Sequence, residues 1–302
     1  MDTDSTDPGI GFPAAPGSQT RLRTESTVKV DFGGLTHAGK VRTNNEDHYL
    51  ISRLGRSFEP LMTNVPAGQL PERLSEYGYG MLVADGMGGA AAGEVASRMA
   101  INLLVKLVVD TAKYGRRIDE EEAEALMKRM EGYFTKIHSE LLLQAEMDPA
   151  IAGMGTTLTV AYSFGSDLFV AHVGDSRAYL FREGQLRQLT HDHTVAQRLA
   201  DTGEIPQKDV AKHKLRHMLT NVLGGLKAPV VTELEQFQLA DRDRLLLCSD
   251  GLTDMVDDAT IETVLRTVAA PQEAAEKLLD LALNAGGNDN ITIVLARYAF
   301  SD

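Results

Sequence analysis

Two apolar segments of the chain each end in an aspartate followed by a glycine. The first runs Met-Leu-Val-Ala from Met81 and leads into Asp85 and Gly86, and the second runs Leu-Leu-Leu-Cys-Ser into Asp250 and Gly251. Apolar runs of this length that end in a glycine turn are typical of buried strands. A carboxylate at the end of a buried strand is costly unless a positive group meets it. Any fold of this chain has to satisfy that requirement.

A third carboxylate, Asp289, lies in a glycine-rich turn just before the strand-like segment 291–295. For any one of the three sites alone, a simple turn is the better explanation, because Asp and Gly are common in turns. Three carboxylates brought together could not all stay ionised without cations between them. Taken with the acidic pair Glu46–Asp47, they favour a metal centre built of oxygen ligands.

Composition narrows the class of protein. The 302 residues are 43% hydrophobic and can bury a large core, and the net charge of −13 without a basic block argues against nucleic-acid binding. Cys248 is the single cysteine, which excludes an internal disulfide and a cysteine zinc site. The N-terminus has no signal-peptide pattern, and no apolar stretch is long enough to cross a membrane. We therefore expect a cytoplasmic protein.

The pattern along the chain predicts one domain over 27–302 after a disordered tail over 1–26, which is rich in Asp, Ser, Thr, Pro and Gly. Residues 53–78 contain three prolines and several glycines, so we expect a long irregular loop there. Contact with a partner or substrate and plain disorder are its two alternatives. Apolar positions three and four apart predict two helices, near 96–107 and 123–141.

Short strands separated by tight turns follow between 155 and 189. Strands linked so closely must pair antiparallel, because parallel pairing needs a long crossover. More strands recur after 232, and two helices are predicted near 258–268 and 271–284. The prediction is an α+β fold of two packed antiparallel β-sheets, a β-sandwich flanked by pairs of α-helices, with a polar flap near 192–222.

Six short motifs follow one another along the chain: Arg42 with Asn45-Glu46-Asp47, Ala84-Asp85-Gly86-Met87-Gly88-Gly89, Gly153-Met154-Gly155-Thr156-Thr157, Val173-Gly174-Asp175-Ser176-Arg177, Ser249-Asp250-Gly251 and Asp289-Asn290. Their order resembles that of the metal-dependent PP2C-type (PPM family) protein serine/threonine phosphatases, and the bacterial branch is the closest match. The resemblance covers roughly residues 28–299. Six motifs in the right order are specific, whereas any one alone would be weak. The fold of that family agrees with the sandwich predicted above.

The resemblance implies that six residues hold or orient two Mg²⁺ or Mn²⁺ ions: Asp85 as the bridge between both ions, Asp250 and Asp289 at the first, Glu46 and the Gly86 carbonyl at the second, and Asp47 on a water of the second. Oxygen ligands without His or Cys fit Mg²⁺ or Mn²⁺ better than zinc. A glycine after the bridging aspartate lets the backbone turn its carbonyl towards an ion. The implied reaction is direct attack by a metal-activated water, with no phosphoenzyme.

Two further residues have alternatives that stay open. Arg42 is expected to grip the substrate phosphate, because its planar fork can hold two oxygens. Its alternative role is a surface salt bridge, and the family match favours the phosphate. Asp175 resembles the bacterial ligand for a third metal ion shared with Asp250, and a simple turn residue between two strands is an equal alternative.

The chain departs from many eukaryotic members of the family after Asp85-Gly86. Those members have a histidine there that is proposed as general acid, whereas Met87 cannot donate a proton. Other histidines are candidates in principle, although a lone histidine is more often structural, and water is the alternative: His172, His191 and His193. The flap carries four residues suited either to an acidic phosphopeptide or to solvent: His213, Lys214, Arg216 and His217.

The sequence therefore predicts an enzyme that removes phosphate from Ser and Thr of phosphoproteins and opposes a cognate Ser/Thr kinase. We expect a monomer that binds neither nucleic acid nor membrane. A rival enzyme is a phosphatase dedicated to a phosphorylated partner of the anti-sigma-antagonist type, although no sensor domain is visible. A rival from another class is a non-catalytic phosphoprotein-binding regulatory protein on the same fold. Loss of a metal carboxylate would be its signature, and every matched position is intact.

Overall fold

The structure is a computed structural model that describes residues 28–66, 69, 74–111 and 120–300. The tail predicted over 1–26 lies outside these residues. Twelve strands form in the described part of the chain: β1 (Val28–His37), β2 (Asp47–Phe58), β3 (Leu74–Met87), β4 (Gly155–Thr156), β5 (Leu158–Phe164), β6 (Asp167–Val173), β7 (Arg177–Arg182), β8 (Gln185–Gln188), β9 (Leu223–Gly224), β10 (Glu233–Gln238), β11 (Arg244–Cys248) and β12 (Ile291–Phe300).

The helices of the described residues lie in three groups along the chain: α1 (Gly89–Thr111) and α2 (Glu120–Met147), then α3 (Val195–Asp201), then α4 (Asp250–Thr253), α5 (Asp258–Thr267) and α6 (Pro271–Asn284). Short 3₁₀ turns occur at Pro149–Ile151 and Gln207–Lys212. Among these described helices, none is long and apolar enough to cross a membrane.

The strands form two antiparallel sheets. One has the order β1-β12-β11-β7-β8, and the other has the order β10-β6-β5-β3-β4-β9 with β2 paired to β3. Every pairing is antiparallel, which confirms the predicted sandwich. The first and last strands of the described chain, β1 and β12, pair along their full lengths.

Apolar side chains fill three layers of this sandwich. Met81 and Val83 of β3 pack with Leu245 and Leu247 of β11 between the sheets. Intervening residues of the same strands face outward, where α1 and α2 cover one sheet and α4, α5 and α6 cover the other. Because helices and the opposite sheet bury both faces, the central strands are apolar at successive positions. This is why the two runs ending in Asp85 and Asp250 are continuous rather than alternating.

The prediction of a loop over 53–78 is wrong at both ends. β2 continues to Phe58 and β3 begins at Leu74, so the connection is confined to 59–73. Pro60 and Pro66, the prolines of this connection that the structure describes, lie outside both strands, where no strand hydrogen bond is needed. At about 3.3 Å per residue, β2 places Phe58 about 36 Å from Asp47. The described start of the connection therefore lies far along the strand from Asp47.

Candidate metal centre

Carboxylates from both sheets meet at one end of the sandwich. Asp47 begins β2 and pairs directly with Asp85 near the end of β3. Asp250 follows β11 and begins α4, while Asp289 directly precedes the β12 region. Because β11 and β12 are neighbours in the other sheet, Asp250 and Asp289 emerge on the same side. The sheet register thus brings together residues more than 200 positions apart.

Asp47 connects the two sheets at this end. It is 3% exposed, and its Oδ2 accepts hydrogen bonds from the hydroxyls of Ser249 and Thr292, both at 2.7 Å. Ser249 and Thr292 are also joined to each other, since the Thr292 N–H donates to the Ser249 hydroxyl at 2.9 Å. These two hydroxyls fix the Asp47 carboxylate at its Oδ2 edge and leave its Oδ1 edge for another partner.

The strand segment 155–157 holds Asp85 through its backbone. The Asp85 N–H donates to the Thr157 hydroxyl at 3.0 Å, and the Thr157 N–H donates to the Asp85 carbonyl at 2.9 Å. The Thr156 hydroxyl donates to the same carbonyl at 2.8 Å. Asp85 therefore keeps a fixed backbone while its carboxylate is free for chemistry. The segment therefore acts structurally and passes close to Asp85.

Asn290 holds the loop that carries Glu46. Its Oδ1 accepts the Glu46 N–H at 2.7 Å, and its Nδ2 donates to the carbonyls of Asn44 and Ala38 at 2.8 and 3.0 Å. The Glu46 carbonyl in turn accepts the Gly86 N–H at 3.2 Å. Asn290 thus fixes Glu46 beside Gly86, which are the two residues predicted to share an ion.

The Glu46 carboxylate packs against Gly93 of α1, and this contact gives a testable prediction. A Cβ at Gly93 would lie 2.3 Å from Glu46 Oε2 and 2.8 Å from the Gly86 carbonyl carbon. We expect Gly93→Ala to displace Glu46 and lower phosphatase kcat/KM by on the order of 100-fold. Gly132→Ala in α2 is the control, because a Cβ there meets nothing within 4 Å. It should stabilise the protein by about 0.5–1 kcal/mol and leave kcat/KM unchanged. Equal activity in the two variants would contradict the prediction.

Arg42 lies at the rim of the site. Its guanidinium Nη2 contacts Asp289 Oδ2 at 2.7 Å, and its side chain is 58% exposed. The loop before it fits tightly, since Gly39 has φ +77° and a Cβ there would lie 2.2 Å from the Asp289 carbonyl oxygen. Arg42 therefore forms the salt bridge that was one of its two predicted roles, and its exposure leaves the phosphate contact as a prediction.

Asp175 lies on the turn between β6 and β7, next to Gly174. It is 9% exposed, and the neighbouring Ser176 hydroxyl lies 2.8 Å from that of Thr157. Since Thr157 also holds Asp85, one threonine links the turn of Asp175 to the centre of the site. Repulsion from Asp250 acts on Asp175, which places the two carboxylates within electrostatic reach of each other.

The pKa values of these carboxyls show how unfavourable the cluster is without cations. Burial, followed by repulsion from Asp47 and Asp250, raises the pKa of Asp85 well above its ordinary value. Burial also raises the pKa of Asp175 well above its ordinary value and that of Asp47 to about 7. The pKa of Glu46 is raised as well, chiefly by burial. Divalent cations would reverse these shifts by neutralising the repulsion.

Two carboxylate oxygens without hydrogen-bond partners indicate whether the site suits such cations. Asp47 Oδ1 and Asp250 Oδ1 are buried, and neither has a hydrogen-bond partner among the described residues. A buried carboxylate oxygen without a partner is costly, and an ion or its bound water would satisfy it. The donors are hard oxygens from Asp and Glu, which suit Mg²⁺ and Mn²⁺. The residues present fit the predicted cations.

The histidines proposed as proton donors have other roles. His172 and His193 contact the backbone at Gly174, and His191 Nε2 lies 2.8 Å from Asp201 Oδ2. These contacts support the structural interpretation of all three. His217 is the histidine that approaches the carboxylates, with Nδ1 3.6 Å from Asp250 Oδ2.

The flap is anchored on an acidic residue that the sequence did not single out. His217 Nε2 lies 3.3 Å from Asp254 Oδ2, and Arg216 Nε lies 3.9 Å from Asp254 Oδ1. Two of the four flap residues predicted to meet a phosphopeptide or solvent thus contact α4 and its C-terminal end. The spacing of Asp254 from Asp250 could have indicated it. Residues four apart lie one helical turn from each other, on the same side of a helix.

Comparison with known proteins identifies the family. The sequence model of protein phosphatase 2C matches residues 73–284. Serine/threonine protein phosphatase PstP of Mycobacterium tuberculosis is 36% identical over 273 residues, which are 89% of this chain and 45% of PstP. The chain thus spans less than half the length of that relative. Serine/threonine phosphatase stp of Listeria monocytogenes is 37% identical over 261 residues, which are 86% of this chain and 92% of stp.

Solved structures agree with the sequence relatives. The crystal structure of Mycobacterium tuberculosis PstP/Ppp superimposes with a TM-score of 0.71 at 35% identity, covering 90% of this chain and 99% of that one. The catalytic domain of PstP in complex with two manganese ions gives a TM-score of 0.69 at 34% identity, with the same coverage. The described fold and the carboxylates at its end match this assignment. The chain therefore belongs to the protein phosphatase 2C family of metal-dependent serine/threonine protein phosphatases.

Proposed function

We propose that this protein hydrolyses phosphoserine and phosphothreonine in other proteins, using two divalent cations, Mg²⁺ or Mn²⁺. The observation that carries the proposal is the group of buried and half-buried, mutually repelling carboxylates at one end of the sandwich, two of which have a buried oxygen with no partner among the described residues. The related PstP catalytic domain with two manganese ions supports the number of cations. When bound, such cations lower the pKa of a water between them and offset charge on the phosphoryl oxygens.

The proposed ligands divide between two positions and a third, weaker one: Asp85 shared by the first two, Asp250 and Asp289 at the first, Glu46 and the Gly86 carbonyl at the second, and Asp175 with Asp250 at the third. Asp47 acts through its unpaired Oδ1, which can accept a hydrogen bond from a water at the second position. Its Oδ2 stays occupied by Ser249 and Thr292, so the orientation of Oδ1 is fixed. This set keeps every ligand predicted from the sequence.

Solvent is the proposed source of the proton for the leaving serine or threonine oxygen. Met87 follows Gly86 where a donor would be needed, and it is 37% exposed at the surface of the site. A thioether has no proton to give. His172 and His193 donate or accept within the fold instead, because both contact the backbone of Gly174. Water at the exposed side of Met87 can reach the leaving group directly.

Arg42 is the proposed contact for the substrate phosphate, since its exposed guanidinium can hold two phosphate oxygens. We expect Arg42→Ala to lower kcat/KM for a phosphothreonine peptide by about 10- to 100-fold, mainly by raising KM. Arg42→Lys should recover little, because an ammonium lacks the planar fork. Arg297→Ala is the matched control, since Arg297 forms a similar exposed ion pair with Asp31 at 2.7 Å on another part of the sandwich. An unchanged KM in Arg42→Ala would exclude this role.

The proposed function is tested with p-nitrophenyl phosphate and a phosphothreonine peptide. Purified protein is assayed with EDTA, with Mg²⁺ and with Mn²⁺, and Asp250→Ala is assayed beside it. Activity should require a divalent cation and disappear in Asp250→Ala. A folded protein that releases no phosphate from either substrate with any of these cations would favour the second candidate, a non-catalytic phosphoprotein-binding protein.

Phosphoproteins are the proposed partners, with a Ser/Thr kinase that makes the substrate. The family membership supports a phosphoprotein substrate, and the acidic net charge of −13 supports neither nucleic acid nor an anionic membrane surface as a partner. We propose a monomer in the cytoplasm, where the buried thiol of the single Cys248 stays reduced. Size-exclusion chromatography with light scattering tests the monomer directly.

A further inference from the structure

Two stacked histidines lie behind the turn that carries Asp175. The rings of His172 and His193 are 4.9 Å apart between centroids and 29° from parallel. His172 is fully buried, and burial lowers its pKa to about 3. Burial also lowers the pKa of His193 to about 4. Both rings are therefore neutral at pH 7, and each has one nitrogen that can accept a hydrogen bond.

Both histidines bind the backbone of Gly174, the residue just before Asp175. His172 Nε2 lies 3.0 Å from the Gly174 carbonyl, and the His193 N–H donates to the same carbonyl at 2.7 Å. The Gly174 N–H donates to His193 Nδ1 at 3.0 Å. Gly174 has φ +115°, and a Cβ there would lie 2.5 Å from Thr157 Cγ2. Three hydrogen bonds from two side-by-side residues thus hold a backbone conformation that favours glycine.

His193 lies at the start of the flap and also binds its end. The Thr220 N–H donates to the His193 carbonyl at 2.8 Å, and Asn221 Nδ2 lies 3.1 Å from His193 Nδ1. Thr194, the next residue, pairs with Leu219 in an isolated antiparallel bridge. His193 is therefore shared between the turn of Asp175 and the flap segment 219–221.

A metal site at the same place is the competing interpretation. Single ligand atoms of His172, His193 and Glu233 lie within 4.8 Å of one another. However, both ring nitrogens of His172 already have partners, Thr159 Oγ1 at 2.9 Å and the Gly174 carbonyl at 3.0 Å. His193 Nδ1 accepts the Gly174 N–H, which leaves only its Nε2 facing Glu233 at 3.9 Å. A metal would have to break the hydrogen bonds that hold Gly174, so the observations favour a structural link.

We propose that His193, supported by the stacked ring of His172, is a positioning residue that fixes the Asp175 turn and connects it to the flap segment 219–221. The proposal rests on the proposed function in one respect, the assignment of Asp175 as a cation ligand. Residues that orient a metal ligand typically contribute 10- to 100-fold in metal affinity. Because the same side chain binds the flap, a change in the flap is transmitted to Asp175 through one residue.

Three variants of the full chain separate three contributions: the hydrogen-bond acceptor of His193, its ring, and the proposed cation ligand Asp175. His193→Phe keeps a ring on His172 but removes the acceptor for Gly174, whereas His193→Asn removes the ring but places an oxygen near the position of Nδ1. Asp175→Asn removes the ligand itself. If His193→Phe does not fold, His193→Gln takes its place, because its polar end lies near the position of Nε2. Far-ultraviolet circular dichroism checks the fold of each variant.

The measurements are amide hydrogen exchange at Gly174 by NMR and Mn²⁺ binding by titration calorimetry. We expect His193→Phe to speed exchange at Gly174 by at least about tenfold, since the Gly174 N–H loses the acceptor that it has among the described residues. The Mn²⁺ affinity of the position lost in Asp175→Asn should fall by about 10- to 100-fold in His193→Phe, with the other positions unchanged. His193→Asn should recover both properties in large part, which a purely ring-packing role would not allow.

Unchanged exchange at Gly174 in His193→Phe would overturn the proposal. The double variant His193→Phe/Asp175→Asn gives a second test. If each single variant lost one Mn²⁺ position and the double variant lost two, His193 would itself be a ligand, and the proposal would be overturned. The exchange measurement needs no cation. It therefore tests the positioning role even if the wild-type protein bound no Mn²⁺, a result that would refute the proposed function instead.

Discussion

Replacing Asp85 with asparagine is expected to lower phosphatase kcat/KM by more than about 100-fold while leaving the protein folded. Loss of a residue that merely orients a metal ligand typically lowers metal affinity or activity 10- to 100-fold. Loss of the proposed shared ligand should lower activity further. The backbone of Asp85 is held by Thr156 and Thr157, and asparagine keeps those backbone hydrogen bonds. The loss of activity should therefore come from the missing charge alone.

The same substitution should stabilise the metal-free protein. Asp85 is half-buried and is repelled by Asp47 and Asp250, so a neutral amide removes repulsion without removing volume. Thermal unfolding in EDTA at pH 8 is the measurement, and a higher Tm together with lost activity is the expected result. Asp280→Asn on the exposed face of α6 is the control and should change neither property. A stable, fully active Asp85→Asn would show that the metal centre lies elsewhere.

Saturating Mn²⁺ is expected to raise the Tm of the wild-type protein, and more so at pH 8 than at pH 5. A cation at a concentration 100 times its Kd raises the free energy of unfolding by about 2.7 kcal/mol for each site. For a chain of this size, 1 kcal/mol corresponds to a Tm change of about 2–4 °C, so one site should add about 5–10 °C. The cation meets ionised carboxylates at pH 8, whereas protons compete for them at pH 5.

The direction of the pH effect follows from Asp47. Burial, with repulsion from Asp250 and Asp289, raises its pKa from 3.8 to about 7. Between these values the folded metal-free protein keeps a proton that the unfolded chain releases. This contribution to stability is complete below the unfolded pKa and is lost as pH rises through about 7. In EDTA, Asp47→Asn should reduce this pH dependence. A Tm shift by Mn²⁺ that is equal at both pH values would contradict the cluster as the binding site.

The sequence indicated the candidate ligands but not the residues that support them. Asp85 and Asp250 were visible because apolar strands lead into them, and the order of the motifs tied them to Glu46 and Asp289. The contacts of Asp47 with Ser249 and Thr292 were not visible, since they join residues 202 and 245 positions apart. Such pairs depend on how one sheet packs on the other, which local patterns do not encode. The role of His193 escaped for the same reason.

The loop predicted over 53–78 is wrong for the opposite reason. Its prolines and glycines are local signals for a loop, and the prediction extended them into the neighbouring strands. Its prolines do exclude a strand, but only over 59–73. On either side, Gly55 and Gly78 looked like loop residues, whereas both lie in strands beside large aromatic rings. A Cβ at Gly55 would lie 2.3 Å from the Tyr77 ring, and one at Gly78 would lie 2.4 Å from the Tyr162 hydroxyl. These glycines accommodate bulky neighbours in the sheet rather than a turn.

The hydrogen bonds that Ser249 and Thr292 make to Asp47 have a consequence for the order of events during synthesis. Asp47 is made well before its two partners, which follow it 202 and 245 positions later. β1 likewise waits for β12, which is its only neighbour among the described strands. A nascent chain therefore has no complete site until β12 has left the ribosome. The topology thus ties completion of the site to synthesis of β12.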